Sequence, residues 1–239
     1  MKAMVFAAGL GTRLRPYTND RPKALVELAG QSLLEITLTR LRHAGVEEVV
    51  VNVHHFADQV REHLQKNDDF GLRIHISDET DLLLDTGGGL ARARRWLGDA
   101  PFLVHNVDIV HDIDLWAMYR YHLNHPALAT LSARHRETSR YLEFDDALQL
   151  CGWVNTRTGD RKISRNVPAT QRLAYSGIAV IDPELFTHFP VGVNVFSIID
   201  VWLEAARRHR VQAMLHDTAT WFDVGKPATL EAAAAWMKS

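Results

Sequence analysis

The sequence predicts an α/β fold, with a mixed, mostly parallel central sheet flanked by helices and a small β-rich lid. Three observations predict it. Up to about residue 133, strand-like apolar runs alternate with helix-like stretches, the order that a parallel, helix-covered sheet requires. The first apolar run ends in a glycine-rich loop too long to be a simple turn. From about Arg134 the alternation gives way to short strand candidates separated by polar turns, as in a β-rich excursion that covers a site.

Element by element, Lys2–Ala7 is a continuous apolar run ending near Gly9. Ser32 opens a helix, with Glu35 three residues later as a capping box and Gly45 as its stop. Leu34, Leu38 and Leu41 then share one helical face. Val46–Val53 reads as a strand, Ala57–Gln65 as a helix and Leu72–Ser77 as an alternating strand. Gly89–Leu97 is a short helix, Pro101–His105 a strand, Asp114–His125 a helix and Leu128–Ala133 a strand. The excursion holds two strand candidates around Asp145-Asp146 and a turn near Thr158-Gly159. Ala174–Ile181 returns to strand, Ser197–His209 is an amphipathic helix, Trp221–Val224 a short strand, and Pro227–Met237 a helix with Pro in its first turn. Residues 1–239 are expected to form a single domain. There is no internal repeat and no long linker.

Composition narrows the function. A chain of 239 residues with 46% hydrophobic residues can bury a sizeable core. A net charge of −2 argues against a nucleic-acid binder or an anionic-membrane binder. One cysteine, Cys151, rules out an intrachain disulfide framework and a Cys-rich zinc site, and is expected in the core. The N-terminus reads as a first buried strand and not a signal peptide, and no stretch has the length of a membrane span, so the expected location is cytoplasmic.

The loop "FAAGLGTRLRPYTNDRPKAL", Phe6 to Leu25, carries the chemistry. It is not a dinucleotide fingerprint, because Leu14 stands where the third glycine should be and no helix begins after it. It is not a Walker A loop either. Its glycines let backbone N–H groups approach phosphate oxygens. Thr12 adds a hydroxyl, Arg13 a planar fork suited to two phosphate oxygens, and Lys23 a compact charge at the far end. Such a loop suits a triphosphate attacked at its middle.

In this respect the sequence resembles the sugar-1-phosphate nucleotidyltransferases, whose signature is G-x-G-[ST]-R-[LM]-x-P-x-T-x-x-x-P-K. Gly9, Gly11, Thr12, Arg13, Leu14, Pro16, Thr18, Pro22 and Lys23 stand in register with it. The resemblance extends to later landmarks over most of the chain. It implies a Rossmann-like fold of the nucleotide-diphospho-sugar transferase type, with 1–133 as the nucleotide-binding half and 134–239 as the sugar-binding half. It also implies an NTP and a sugar 1-phosphate as substrates. By resemblance, the backbone at Ala8, Gly9 and Gly11 holds base, ribose and phosphates. Arg13 meets the outgoing pyrophosphate, and Lys23 neutralises the α-phosphate under attack.

Phosphoryl transfer of this kind needs positioning and charge neutralisation, usually with Mg2+, which takes one or two carboxylates. Asp108 follows an apolar strand in "PFLVHNVDIV" and resembles the family's metal-binding Asp, with Val107 in place of the usual Gly. Asp223 in "WFDVGKP" resembles the second metal ligand, and Lys226 beside it is a weaker phosphate candidate at a helix N-terminus. His105 and His111 flank Asp108 without zinc-site spacing.

Three glycines in "DTGGGLARA" are expected before a helix, where Thr86, Gly87 and Gly88 would by resemblance hold the nucleotide, and Asn52 is expected to bind the nucleotide with them. Gly177 in "AYSGIAVI" is expected against the sugar, as is Glu143. The family's E-K-P sequence is missing, with Lys162 or Arg165 as substitutes. Together with the "TGGG" loop and the "VVNVHH" strand end (Asn52, His54), its absence makes the chain most similar to N-acetylmuramate-1-phosphate uridylyltransferases. Mannose- and heptose-1-phosphate guanylyltransferases, choline-phosphate cytidylyltransferases and a non-catalytic NDP-sugar sensor stay open. Without a C-terminal repeat region, a monomer or a dimer is expected.

Overall fold

The computed structural model describes residues 1–167 and 171–238. Strand β1 (Lys2–Phe6) forms from an unbroken apolar run because both of its faces are buried. Ala3 and Val5 enter one core and Met4 the other. The glycine-rich loop follows, then the two-residue strands β2 (Glu27–Leu28) and β3 (Gln31–Ser32), which pair with each other. Helix α1 (Leu33–His43) starts where expected: Ser32 Oγ accepts from Glu35 N at 3.0 Å. The reciprocal half of the capping box is absent, because Glu35 turns its carboxylate to Gln31 Nε2 at 3.0 Å. Leu34, Leu38 and Leu41 are fully buried.

Strand β4 (Glu48–Val53), helix α2 (Ala57–Lys66) and strand β5 (Arg73–Asp78) match the expected elements to within two residues. Helix α3 (Asp85–Leu97) starts four residues before the expected Gly89. Its first amides are satisfied from far away: Gly87 N and Gly88 N donate to the Phe196 carbonyl at 2.9 and 3.2 Å. No local cap signals such a start. Strand β6 (Phe102–Asn106) precedes the unanticipated strand β7 (Ile109–His111), and α4 (Leu115–Asn124) follows, capped by Asp114.

The second half contains β8 (Ala129–Arg134), β9 (Arg140–Phe144), β10 (Leu150–Asn155) and β11 (Arg161–Ile163). Then come the long β12 (Gln171–Ile181) and α5 (Ile198–Ala205), which ends four residues before the expected His209. Strand β13 (Val211–Leu215) was also unanticipated, and β14 (Trp221–Asp223) and α6 (Pro227–Met237) close the chain.

The main sheet runs β11-β10-β9-β12-β6-β1-β4-β5, with β8 also on β12 and β13 beside β8. Its central strands β6, β1, β4 and β5 are parallel, and β12 enters antiparallel between β6 and β8. The β-rich excursion is continuous with this sheet. Its strands β9 to β11 continue the main sheet, because the N-terminal part of β12 pairs with β9. A separate two-stranded sheet joins β14 to β7. One hydrophobic core lies under α1, and the other under α3 and α5. Cys151 is buried, as expected. Among the described residues no helix is long and apolar enough to cross a membrane.

Candidate active site

A cleft of about 440 Å3 opens at the carboxyl ends of β1, β4 and β6, where open parallel sheets place ligands. Ala8 and Gly9 form its floor, Asn52 and Thr86 one wall, and Lys23 and Asp108 another. A Cβ built on Gly9 would meet no atom within 4 Å, so that position opens straight into the cleft. Gly11 has φ +64°, and a Cβ there would stand 2.9 Å from Thr18 Cγ2. Thr18 Oγ1 donates to the Gly11 carbonyl at 2.9 Å and fixes the turn. Leu14, at the place of the missing third glycine, is fully buried and anchors the loop in the core.

The far end of the loop reaches the first of the two expected carboxylates. Lys23, only 9% exposed, forms an ion pair with Asp108. Asp108 lies in the turn between β6 and β7, and β14 returns alongside: Asp223 pairs in register with Ile109, and Val224 N donates to the Asp108 carbonyl at 2.9 Å. Two residues 115 positions apart are thus neighbours across one small sheet. Asp223 Oδ1 accepts from Gly225 N at 2.9 Å. The Arg13 guanidinium shares this corner, since a Cβ on Gly225 would stand 2.7 Å from Asp223 Oδ1 and 3.0 Å from Arg13 Nη2. Among the described residues no three His, Cys, Asp or Glu gather as a closed metal site. Two carboxylates beside the cleft are a donor set that fits a divalent metal ion, whose remaining positions ligand oxygens and water would fill. Thr12 is exposed on the first of the loop's two 3-10 turns, and Lys226 is exposed at the N-cap of α6.

The buried His105 and His111 brace the turn that carries Asp108. Ile113 N donates to His111 Nδ1 at 2.9 Å, which leaves the His111 proton on Nε2. That N–H donates to His105 Nε2 at 2.9 Å, and His105 Nδ1–H donates to the Asn106 carbonyl at 2.8 Å. Every ring nitrogen is used, so neither imidazole offers a lone pair to a metal. Burial pushes His105 down to about 4 and His111 well below its ordinary value, so both are neutral.

Other expected site residues take different places. Asn52 lines the cleft, but its amide is engaged: Oδ1 accepts from Ala7 N and Ala8 N at 2.7 and 3.2 Å, and Nδ2 donates to Glu79 Oε1 at 2.8 Å. It holds the loop's entry in shape. Thr86 lines the cleft and accepts from Ile198 N at 3.0 Å, tying α3 to α5. Gly87 and Gly88 are buried inside α3, and their N–H groups are taken by Phe196. A Cβ on Gly88 would stand 2.0 Å from the Asn194 carbonyl oxygen, so the glycines serve the packing of α3 against the 194–196 segment. Glu143, expected against the sugar, is instead buried in the β9–β11 sheet, with Arg161 at 2.8 Å and Arg172 at 3.3 Å. Gly177, φ +81°, sits in a bulge of β12, where a Cβ would stand 3.0 Å from the cleft residue Asn106.

Glu79 was missed. It is fully buried in the cleft wall and accepts from Asn52 Nδ2 and Leu84 N, and burial raises its pKa. Its position in "SDETDLLLDT" follows no motif, so only the meeting of β5 with β4 reveals it.

Fold and cleft together are those of an α/β protein that binds a ligand at the carboxyl ends of its parallel strands, with Asp108 in the cleft wall and Asp223 beside it. The family model described as nucleotidyl transferase matches residues 2–148, and the chain belongs to that family of enzymes. An N-acetylmuramate alpha-1-phosphate uridylyltransferase of Caulobacter vibrioides is 38% identical over 98% of this chain and 95% of its own length. Its counterpart in Neisseria meningitidis is 33% identical over 98% of this chain and 97% of its own. A putative glucose-1-phosphate thymidylyltransferase of Bacillus anthracis superposes with a TM-score of 0.83 at 16% identity, over 100% of this chain and 96% of that one, and shares the fold. The resemblance drawn from the signature loop is borne out.

Proposed function

We propose that the protein joins UTP to N-acetylmuramate 1-phosphate, giving UDP-N-acetylmuramate and pyrophosphate. The carrying observation is that Lys23 pairs with Asp108 in the cleft wall while β14 brings Asp223 alongside the Asp108 turn. The choice of base and sugar is supported by the two uridylyltransferases that match nearly the whole chain. Residues 1–133 hold the nucleotide, and 134–239 present the sugar. An oxygen of the acceptor phosphate forms a bond to the α-phosphorus as the bond to the β-phosphate oxygen breaks in line, and pyrophosphate departs. No general base is needed, because the acceptor phosphate is already ionised near neutral pH. Backbone around Ala8 and Gly9 seats the nucleotide. Lys23 offsets charge on the α-phosphate, and Arg13 meets the departing pyrophosphate. Asp108 and Asp223 would hold Mg2+, which when bound spreads the developing negative charge. The reaction belongs in the cytoplasm, where both substrates and Mg2+ are at hand, and a monomer or dimer suffices for it.

The test is pyrophosphate release with Mg2+ across UTP, GTP, CTP, ATP and dTTP. Each is paired with N-acetylmuramate, mannose, glucose and heptose 1-phosphates and with phosphocholine. Release confined to UTP with N-acetylmuramate 1-phosphate is expected. Strong release with another pair overturns the substrate assignment, and silence from folded protein overturns the activity.

A further inference from the structure

Nothing so far holds the acceptor's negative charge. The substitutes expected for the missing E-K-P are already engaged: Lys162 Nζ is 2.5 Å from Asp200 Oδ1, and Arg165 Nη1 is 2.9 Å from Asp145 Oδ2. Arg161 and Arg172 are taken by Glu143.

Two other arginines are differently placed. Arg134 ends β8 and Arg136 lies just beyond it, and both are half-buried. Among the described residues neither has a carboxylate within ion-pair distance. The Arg136 guanidinium lies 4.6 Å from the centre of the Trp221 ring, and that of Arg134 lies 5.8 Å from it. Arg136 reaches only carbonyls, with Nη2 donating to Tyr175 O at 3.3 Å and Nη1 to Glu137 O at 3.5 Å. The Nε atoms of both arginines are buried without an acceptor. The intervening His135 faces elsewhere, toward Asp217 at 2.8 Å.

The platform beneath them is fixed. Trp221 Nε1 donates to the Ser176 carbonyl at 2.9 Å, which sets the indole against the β12 bulge beside Gly177. Trp221 and Asp223 are two apart on β14 and so share a face of that strand. Among charged groups, Asp223 acts most strongly on Arg136, although burial acts more strongly still and lowers its pKa. An arginine stays charged in such surroundings. Asp223 and Asp217 lie near enough to act on Arg136 and Arg134, but neither makes an ion pair with them, so two half-buried guanidiniums keep a desolvation cost that an anion in direct contact would offset.

From this geometry we infer that Arg134 and Arg136, stacked on Trp221 beside Asp223, form the seat for the anionic oxygens of the acceptor sugar. The seat rests on the nucleotidyltransferase reading for the name of its ligand. It takes a planar, two-oxygen face of an anion, which a guanidinium fork matches. That face belongs either to the acceptor's phosphate or to a carboxylate on the sugar itself.

The experiment compares the wild type with Arg136→Gln and Arg134→Gln/Arg136→Gln. Calorimetric binding of N-acetylmuramate 1-phosphate and of glucose 1-phosphate, with UTP-analogue and Mg2+ present, is measured alongside pyrophosphate release. The double variant should weaken acceptor binding and raise the acceptor KM by roughly 10- to 100-fold, the scale of lost charged hydrogen bonds, and leave the KM for UTP within about threefold. A loss for both acceptors identifies the phosphate as the ligand. A loss confined to N-acetylmuramate 1-phosphate identifies its carboxylate. Arg136→Lys should fall between, keeping charge without the fork. Unchanged acceptor binding overturns the seat, as does a fall in melting temperature with equal losses for UTP and acceptor. If no acceptor turns over but wild-type binding still depends on the arginines, the reaction assignment fails and the seat stands. If the wild type neither binds nor turns over any acceptor, both fail.

Discussion

At the scale of single residues, charge and space decide what each side chain can do. Lys23 is buried against Asp108, and both side chains line the cleft. Lys23→Ala should lower turnover by on the order of 10²-fold or more, the scale of one lost electrostatic stabiliser. Near-normal steady-state turnover in that variant would remove Lys23 from the chemistry. Gly9 tests space alone. Its backbone is not left-handed and a Cβ there touches nothing, so Gly9→Ala should melt within about 1 °C of wild type yet raise the KM for UTP several-fold. A KM unchanged with folding intact would show that the nucleotide does not pass over Gly9. The residues of the signature loop were legible because their chemistry and spacing are local. Glu79 and the Arg134–Arg136 pair were not, because their neighbours come from distant strands.

At the scale of elements, α3 shows how tertiary contacts reset a local rule. Exchanging a mid-helix glycine for alanine ordinarily stabilises by about 1 kcal/mol. In α3 the sign reverses, because a Cβ on Gly88 would press into the Asn194 carbonyl oxygen. Gly88→Ala should cost about 1–3 kcal/mol, the range for overpacking, with a matching loss in urea-unfolding stability. A stabilised variant would mean the 194–196 segment yields easily. Helix α3 was placed late for the same reason: Asp85 Oδ1 takes the Thr86 amide, but the distant Phe196 carbonyl takes those of Gly87 and Gly88. Strand β7 was missed because it is three residues long and, among the described residues, pairs with β14 alone. That short pairing is nevertheless what brings Asp223 to Asp108.

At the scale of the whole molecule, buried neutral histidines couple stability to pH. His105 and His216 have folded-state pKa values of about 4, below the ordinary 6.5, chiefly through burial, and His111 is also lowered. Between those pH values the unfolded chain binds protons that the folded chain does not. Their contribution is therefore fully present above about pH 6.5 and is lost as pH falls toward 4. Each group adds about 1.4 kcal/mol per pH unit to that slope. Unfolding by urea between pH 7.5 and 4.5 should show the fall, and His105→Gln should flatten it by about one proton. An unchanged slope would mean that His105 is not buried neutral.

The sequence by itself determined the α/β layering, the position of nearly every central strand, and a signature loop whose cations and glycines lie within twenty residues. These follow from hydrophobic period and local spacing, which are written along the chain. Only the tertiary structure decided that the β-rich excursion extends the main sheet, that Glu143 is a brace, and that Asp108 and Asp223 meet. It also decided that two arginines stand unpaired beside Asp223. Those outcomes depend on strand pairing and on which buried charges find partners, and such pairings join residues that no local pattern links.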